Sequence, residues 1–213
     1  MERMFPDMIL SLFRPFVLLP FLIGTGSFQR LPAATPAQSP PTEKCYFDGY
    51  EGRLAEVVKK SAGEQPGDAV IAYRVQGLWT CAYLTSKTGN SPGWILSSAI
   101  RIVTPDNNPP LNAWLGMWKN GAGHITIGKS KSPMKLMLGG GSAWHGNNGV
   151  VHTGSFEGEA SPVGNRVHLV TGRDERHGCV VDLELYGKFM LAQDNGVCGG
   201  ANVSFSGIWA RSK

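Results

Sequence analysis

Beyond residue 44, apolar positions recur in short runs separated by Gly, Pro, Asn and Asp, with turn signals about every 8–12 residues. The i, i+3, i+4 spacing of amphipathic helices is nearly absent, and the pattern predicts an all-β chain. The first expected strands are Leu54–Lys59, Ala69–Val75, Gly77–Leu84, Gly93–Leu96 and Ala99–Val103. A single helical turn is the other reading of 54–58, but Val57 and Val58 favour a strand. Alternation in the third strand places Leu78, Thr80, Ala82 and Leu84 on one face and Trp79, Cys81 and Tyr83 on the other. Asn107, Asn108, Pro109 and Pro110 neither extend a strand nor start a helix, so they mark a boundary. Beyond it the pattern predicts eight strands at 112–119, 123–129, 134–139, 142–152, 153–160, 165–172, 179–193 (a hairpin or two strands) and 202–211. Gly139, Gly140 and Gly141 read as a bend or bulge where no side chain fits. Eight short antiparallel strands close into a small barrel that leaves no edge exposed; an open sandwich is the alternative.

The N-terminus has a different pattern. Leu10, Leu12, Phe13 and Phe16–Ile23 form a short apolar core around Arg14. A bilayer span needs about 20 apolar residues, so the run reads as an export signal within 1–37, cleaved between Gly24 and Ala37. An uncleaved N-terminal anchor is the alternative. The stretch Leu31–Thr42 is rich in Pro, Ala, Ser and Gln, the composition of a tether. The expected organisation is therefore a signal (1–37), a linker (38–44), a first domain (45–104), a second linker (105–110) and a second domain (111–213).

Cys45, Cys81, Cys179 and Cys198 all follow the signal. In an oxidising compartment such cysteines pair by default. Of the three connectivities, Cys45–Cys81 with Cys179–Cys198 agrees with the domain split. Closing the 19-residue separation of the second pair contributes about 3 kcal/mol in the chain-entropy model. No C-x-x-C spacing points to zinc. Residues 38–110 carry no net charge, whereas residues 111–213 carry ten basic and seven acidic side chains. Lys119, Lys129, Lys131 and Lys135 form a mild basic patch, too weak to suggest nucleic-acid binding; it reads first as an ordinary solvated face and is compatible with anionic envelope polymers.

Three stretches carry resemblances. Gly77–Leu78–Trp79–Thr80–Cys81–Ala82–Tyr83, a polar turn, and Gly93–Trp94–Ile95–Leu96–Ser97–Ser98–Ala99–Ile100 resemble a bacterial SH3-like domain over residues 46–104. The resemblance implies a small barrel with a 3₁₀ turn before its last strand, and a ligand groove lined by Tyr73, Trp79 and Tyr83. The early Asn-Val-Arg-Ser-Gly-Pro segment common in that family is missing here. Gly116–Met117–Trp118, with Trp209 and Arg211 on the last strand, is similar to the end of lipocalin-type barrels, where an Arg covers the first-strand Trp. That implies a structural cap of Trp118, Trp209 and Arg211. The tail Asp194–Arg211 resembles the end of small secreted proteobacterial domains, some appended to lysozyme-inhibitor-like proteins.

Chemistry is sparse. Gly154–Ser155–Phe156–Glu157–Gly158 alternates like a strand and has no nucleophile-elbow pattern. His124, His145, His152, His168 and His177 form no metal-ligand string, although His145 and His152 could face each other across a hairpin. Glu157 with Glu159, and Asp182 with Glu184, each share one face of a strand, the mark of a solvated surface rather than of two acids flanking a cleft. Trp94 reads as core, and Trp114, Trp118, Trp144 and Trp209 as core or barrel cap. No catalytic or metal-binding residue and no cofactor is expected. The expected protein is periplasmic or secreted and non-enzymatic, with an SH3-like module that binds peptidoglycan, cell-wall peptide or an envelope protein. No nucleic acid and no stable membrane insertion after signal cleavage are expected. A lysozyme-inhibitor-like protein and a lipocalin-like barrel with a small ligand among Leu136, Leu138, Met117 and Met190 are the alternatives.

Overall fold

A computed structural model describes residues 39–47, 52–86 and 89–212. The signal expected over 1–37 lies outside these residues, as do Lys87 and Thr88 of the polar turn. The described chain is all-β with two short 3₁₀ turns, and none of its helices is long and apolar enough to cross a membrane.

The first five strands form one antiparallel sheet in the order β4-β3-β2-β1-β5. They are β1 (Arg53–Val57), β2 (Ala69–Gln76), β3 (Trp79–Ser86), β4 (Gly89–Leu96) and β5 (Ile100–Ile102). Of the stretch with the ambiguous pattern at 54–58, residues 54–57 are strand. Gly77, at φ 58°, opens the two-residue turn between β2 and β3, a position where glycine avoids a Cβ clash. This turn removes Leu78 from the core face, leaving it exposed, while Ala82 and Leu84 join Ala55, Val57, Val70, Ala72, Ile95 and Ala99 in the sheet's core. A 3₁₀ turn at Ser97–Ala99 carries the chain from β4 to β5, and β5 pairs with β1.

The other eight strands form a nearly closed barrel-like sheet in the order β10-β11-β12-β13-β6-β7-β8-β9. They are β6 (Gly116–Lys119), β7 (Gly123–Lys129), β8 (Leu136–His145), β9 (Val151–Ala160), β10 (Arg166–Thr171), β11 (Cys179–Tyr186), β12 (Phe189–Asp194) and β13 (Gly207–Arg211). At the seam, Leu169 of β10 packs into space left by Gly158 of β9, where an added Cβ would stand 2.8 Å from the leucine methyl.

Several boundaries differ from the sequence pattern. Residues 134–139 and 142–152 are not two strands: β8 runs through Gly139–Gly141 without a register shift. The glycines clear space rather than bend the strand, since a Cβ on Gly140 would lie 2.4 Å from the Phe156 ring. The stretch 179–193 resolves into β11 and β12. Residues 202–206 are loop, and Val203 and Phe205 are buried from it. Across the β8–β9 hairpin, His152 faces Trp144 and His145 faces Val151, so the two histidines are not opposed.

The barrel interior is filled by Trp114, Trp118, Trp209, Phe156, Phe205, Leu136, Leu138 and Met190, among others. Met117 points outward and is 41% exposed. Each large apolar side chain buried this way contributes about 1.5–3 kcal/mol. Arg211 lies 4.2 Å from the centre of the Trp118 ring. It also donates to the carbonyls of Leu115 and Ala113, fixing the 3₁₀ turn Leu111–Ala113 that delivers Trp114 to the barrel end.

A third apolar cluster joins the two sheets. Ile71, with Phe47, Leu54, Ala69 and Tyr83, packs on Tyr186, Phe189, Leu191, Ile208 and Ala210 from the outer face of β11–β13. Both disulfides are local: Cys45–Cys81 ties the segment before β1 to β3, and Cys179–Cys198 ties the start of β11 to the loop after β12. Two disulfides suit an oxidising environment.

Candidate functional site

Alternation along β3 puts Trp79, Cys81 and Tyr83 on the outer face of the five-stranded sheet. Trp94 of β4 stands opposite Cys81, so Trp79 and Trp94 are diagonal neighbours on that face, and both are half-buried. Trp94 is therefore a surface residue of the module rather than part of its core.

The Cys45–Cys81 bridge draws residues 43–47 across this face as a strap. The Trp94 indole N–H donates to the Glu43 carbonyl at 2.8 Å. Arg74 reaches the strap through one nitrogen, at 3.1 Å from the Lys44 carbonyl and 3.0 Å from the Glu43 carboxylate. Its guanidinium also contacts two rings, 5.0 Å from the centre of Tyr46 and 5.6 Å from that of Trp94. Cation–π contacts of this kind contribute about 0.5–1 kcal/mol each at exposed sites. The strap is thus held through its main-chain carbonyls by an indole and a guanidinium, with aromatic rings around them.

Of the three expected groove residues, Tyr73 and Tyr83 pack on one ring, that of Phe47. Tyr73 stacks on Phe47 at 5.1 Å, and Tyr83 meets Phe47 and Phe189 edge-on, each at 6.1 Å. Tyr83 belongs to the junction between the sheets, where burial raises its pKa and keeps it a neutral phenol. Trp79 remains on the half-exposed face with Trp94, Arg74 and Tyr46. The roles of Arg74 and Tyr46 escape the sequence pattern. The one signal for Tyr46 is its position beside Cys45, whose partner lies on the Trp79 face.

A second feature is a cleft of about 600 Å³ on the outer side of β10–β12, lined by Arg166, His168, Asp182, Glu184 and Gln193. Here the acids expected on a solvated face have cross-strand partners. His168 Nδ1 lies 2.7 Å from Asp182, and Arg166 lies 3.3 Å from Glu184. The hydrogen bond to Asp182, with a smaller contribution from Glu175, raises the His168 pKa despite partial desolvation. Burial, with Glu184 nearby, pushes Tyr186 up to about 12. Glu159 accepts a 2.7 Å hydrogen bond from the Ser130 hydroxyl. Among the described residues no group of three His, Cys, Asp or Glu side chains is placed to hold a metal ion. At the barrel end, Trp118 and Trp209 are fully buried, Arg211 covers Trp118, and burial lowers the Arg211 pKa.

Comparison with family models, curated proteins and solved structures finds no match to this chain.

Proposed function

We propose that this chain is an exported, non-enzymatic envelope protein whose five-stranded, SH3-like module binds extended peptide, either cell-wall peptide or a segment of an envelope protein. The observation that carries this reading is the strap. The Trp94 indole and the Arg74 guanidinium already bind the main-chain carbonyls of a segment that belongs to no helix or sheet, and Trp79 continues the aromatic face beside them. Indole and guanidinium donors read a peptide backbone without needing a particular side chain, and the rings supply contact area at small entropic cost. The strand order and the 3₁₀ turn Ser97–Ala99 favour the SH3-like resemblance. The side-chain-filled barrel weighs against a lipocalin-like ligand in its interior.

The test is retention of the exported protein on purified sacculi, and on peptide fragments released from them. Wild type should be retained, and Trp79→Ala should weaken retention about tenfold, in line with loss of an aromatic contact site. Equal retention of the two proteins, or none of either, refutes the reading for cell-wall peptide.

A further inference from the structure

Among the described residues, the two most exposed large apolar side chains are Val163, at 81%, and Met134, at 70%. Both stand at the same end of the barrel, Val163 at the rim of the cleft where Arg166 and His168 pair with Glu184 and Asp182. Leu136, which opens β8, pairs with Ala160, which closes β9. The loop 130–135 and the turn 161–165 therefore leave neighbouring strand ends. The linker before β6 runs between them: Pro110, Leu111 and Asn112 share a cleft with the loop, and the Asn107 carbonyl abuts Gly164.

The loop that carries Met134 is held from within. The Ser130 N–H donates to the Lys135 carbonyl, the Ser132 N–H to the Ser130 hydroxyl, and that hydroxyl to Glu159. Met134 has a left-handed φ of 59°. Lys129, Lys131 and Lys135 are exposed around it, and none has a carboxylate within ion-pair distance among the described residues. Glu159, the carboxylate adjoining the loop, is engaged by the two serines. In strand order β8 is four positions from β12, so this loop lies away from the face on which the five-stranded sheet packs.

We propose that this end of the barrel docks on an anionic lipid bilayer, with Met134 and Val163 entering the interface and Lys129, Lys131 and Lys135 meeting the headgroups. The two halves of the surface select that partner. A soluble polyanion would satisfy the lysines but leave the methionine and valine in water. An apolar protein surface would cover the tips but strand the lysines. An anionic bilayer presents acyl chain and negative charge a few ångströms apart, the arrangement that loops and amphipathic helices with basic flanks exploit. Each lysine near such a surface strengthens binding about fivefold, and salt screens the effect. The proposal does not depend on the peptide-binding face.

The experiment is co-sedimentation of the protein, as recovered after export, with phosphatidylglycerol-containing vesicles and with pure phosphatidylcholine vesicles at about 0.1 M salt. The protein should bind the anionic vesicles and leave the neutral ones in the supernatant. Lys129→Gln/Lys131→Gln/Lys135→Gln should weaken binding about a hundredfold. Met134→Ser/Val163→Ser should weaken it at least fivefold at unchanged circular dichroism. Trp79→Ala should bind as wild type. In Met134→Trp, fluorescence of the new indole should shift to the blue on adding anionic vesicles. Three results overturn the proposal: no binding to anionic vesicles, binding that needs the lysines but not Met134 and Val163, or displacement by millimolar inorganic phosphate.

Discussion

His168 shows how much a single contact sets the behaviour of an exposed group. Its ring is half-exposed, yet Asp182 at 2.7 Å and Glu175 at 3.6 Å both favour the imidazolium. The folded pKa is therefore raised above 6.5. A raised pKa means that the pair stabilises the fold fully below pH 6.5 and that this contribution is lost as pH rises through the raised value. Solvent screening keeps the contribution small, as for other exposed pairs. Following the imidazole Cε1 proton by NMR should give a midpoint above 6.5 in wild type, moving back towards 6.5 in Asp182→Asn. An unmoved midpoint would show that Asp182 is not the cause. At the same scale, Arg74 is the residue that converts an aromatic face into one that grips a backbone. Its Glu43 pair is an exposed one and adds little alone; the carbonyl bond and the two rings give the geometry.

At the scale of the strand, the three glycines of β8 differ in what they allow. An alanine at Gly140 would place its Cβ 2.4 Å from Phe156 and 3.0 Å from Phe205, whereas at Gly139 the nearest atom is 3.8 Å away. Gly140→Ala should therefore cost about 1–3 kcal/mol through displaced rings, while Gly139→Ala should stay within about 0.5 kcal/mol. Urea unfolding of the two variants checks the contrast, and equal losses would mean the glycines act through backbone freedom instead. Most strands were legible because a half-buried strand shows its period of two, as at Trp79–Cys81–Tyr83 or Ser155–Phe156–Glu157. Glycine has no side chain to alternate, so a strand that uses it to seat rings from its neighbour looks like a break. Residues 202–206 mislead in the opposite direction: Val203 and Phe205 alternate with polar residues, but both are buried from a loop, Phe205 within the barrel core. The strap has no periodicity at all, and only its cysteine hints that it belongs to the β3 face.

At the scale of the molecule, the cluster around Ile71, Tyr186 and Phe189 makes the two sheets interdependent. Phe189 is fully buried there, so Phe189→Ala should cost about 3–5 kcal/mol. It should also turn one unfolding transition into two, with the five-stranded sheet and the barrel melting separately. Calorimetry decides this, since a single sharp transition in the variant would mean that other contacts couple the sheets. The disulfide connectivity has a consequence of another kind. Each bridge joins cysteines that are consecutive in the chain, the first with the second and the third with the fourth. A chain threaded through a membrane from its N-terminus exposes them in that same order. An oxidant that couples each new thiol to the one waiting before it would reach the native pairing directly. On the proposed export, oxidation of the reduced chain should need an oxidant of dithiols but no reshuffling enzyme, and mass mapping of the bridges formed without an isomerase checks this.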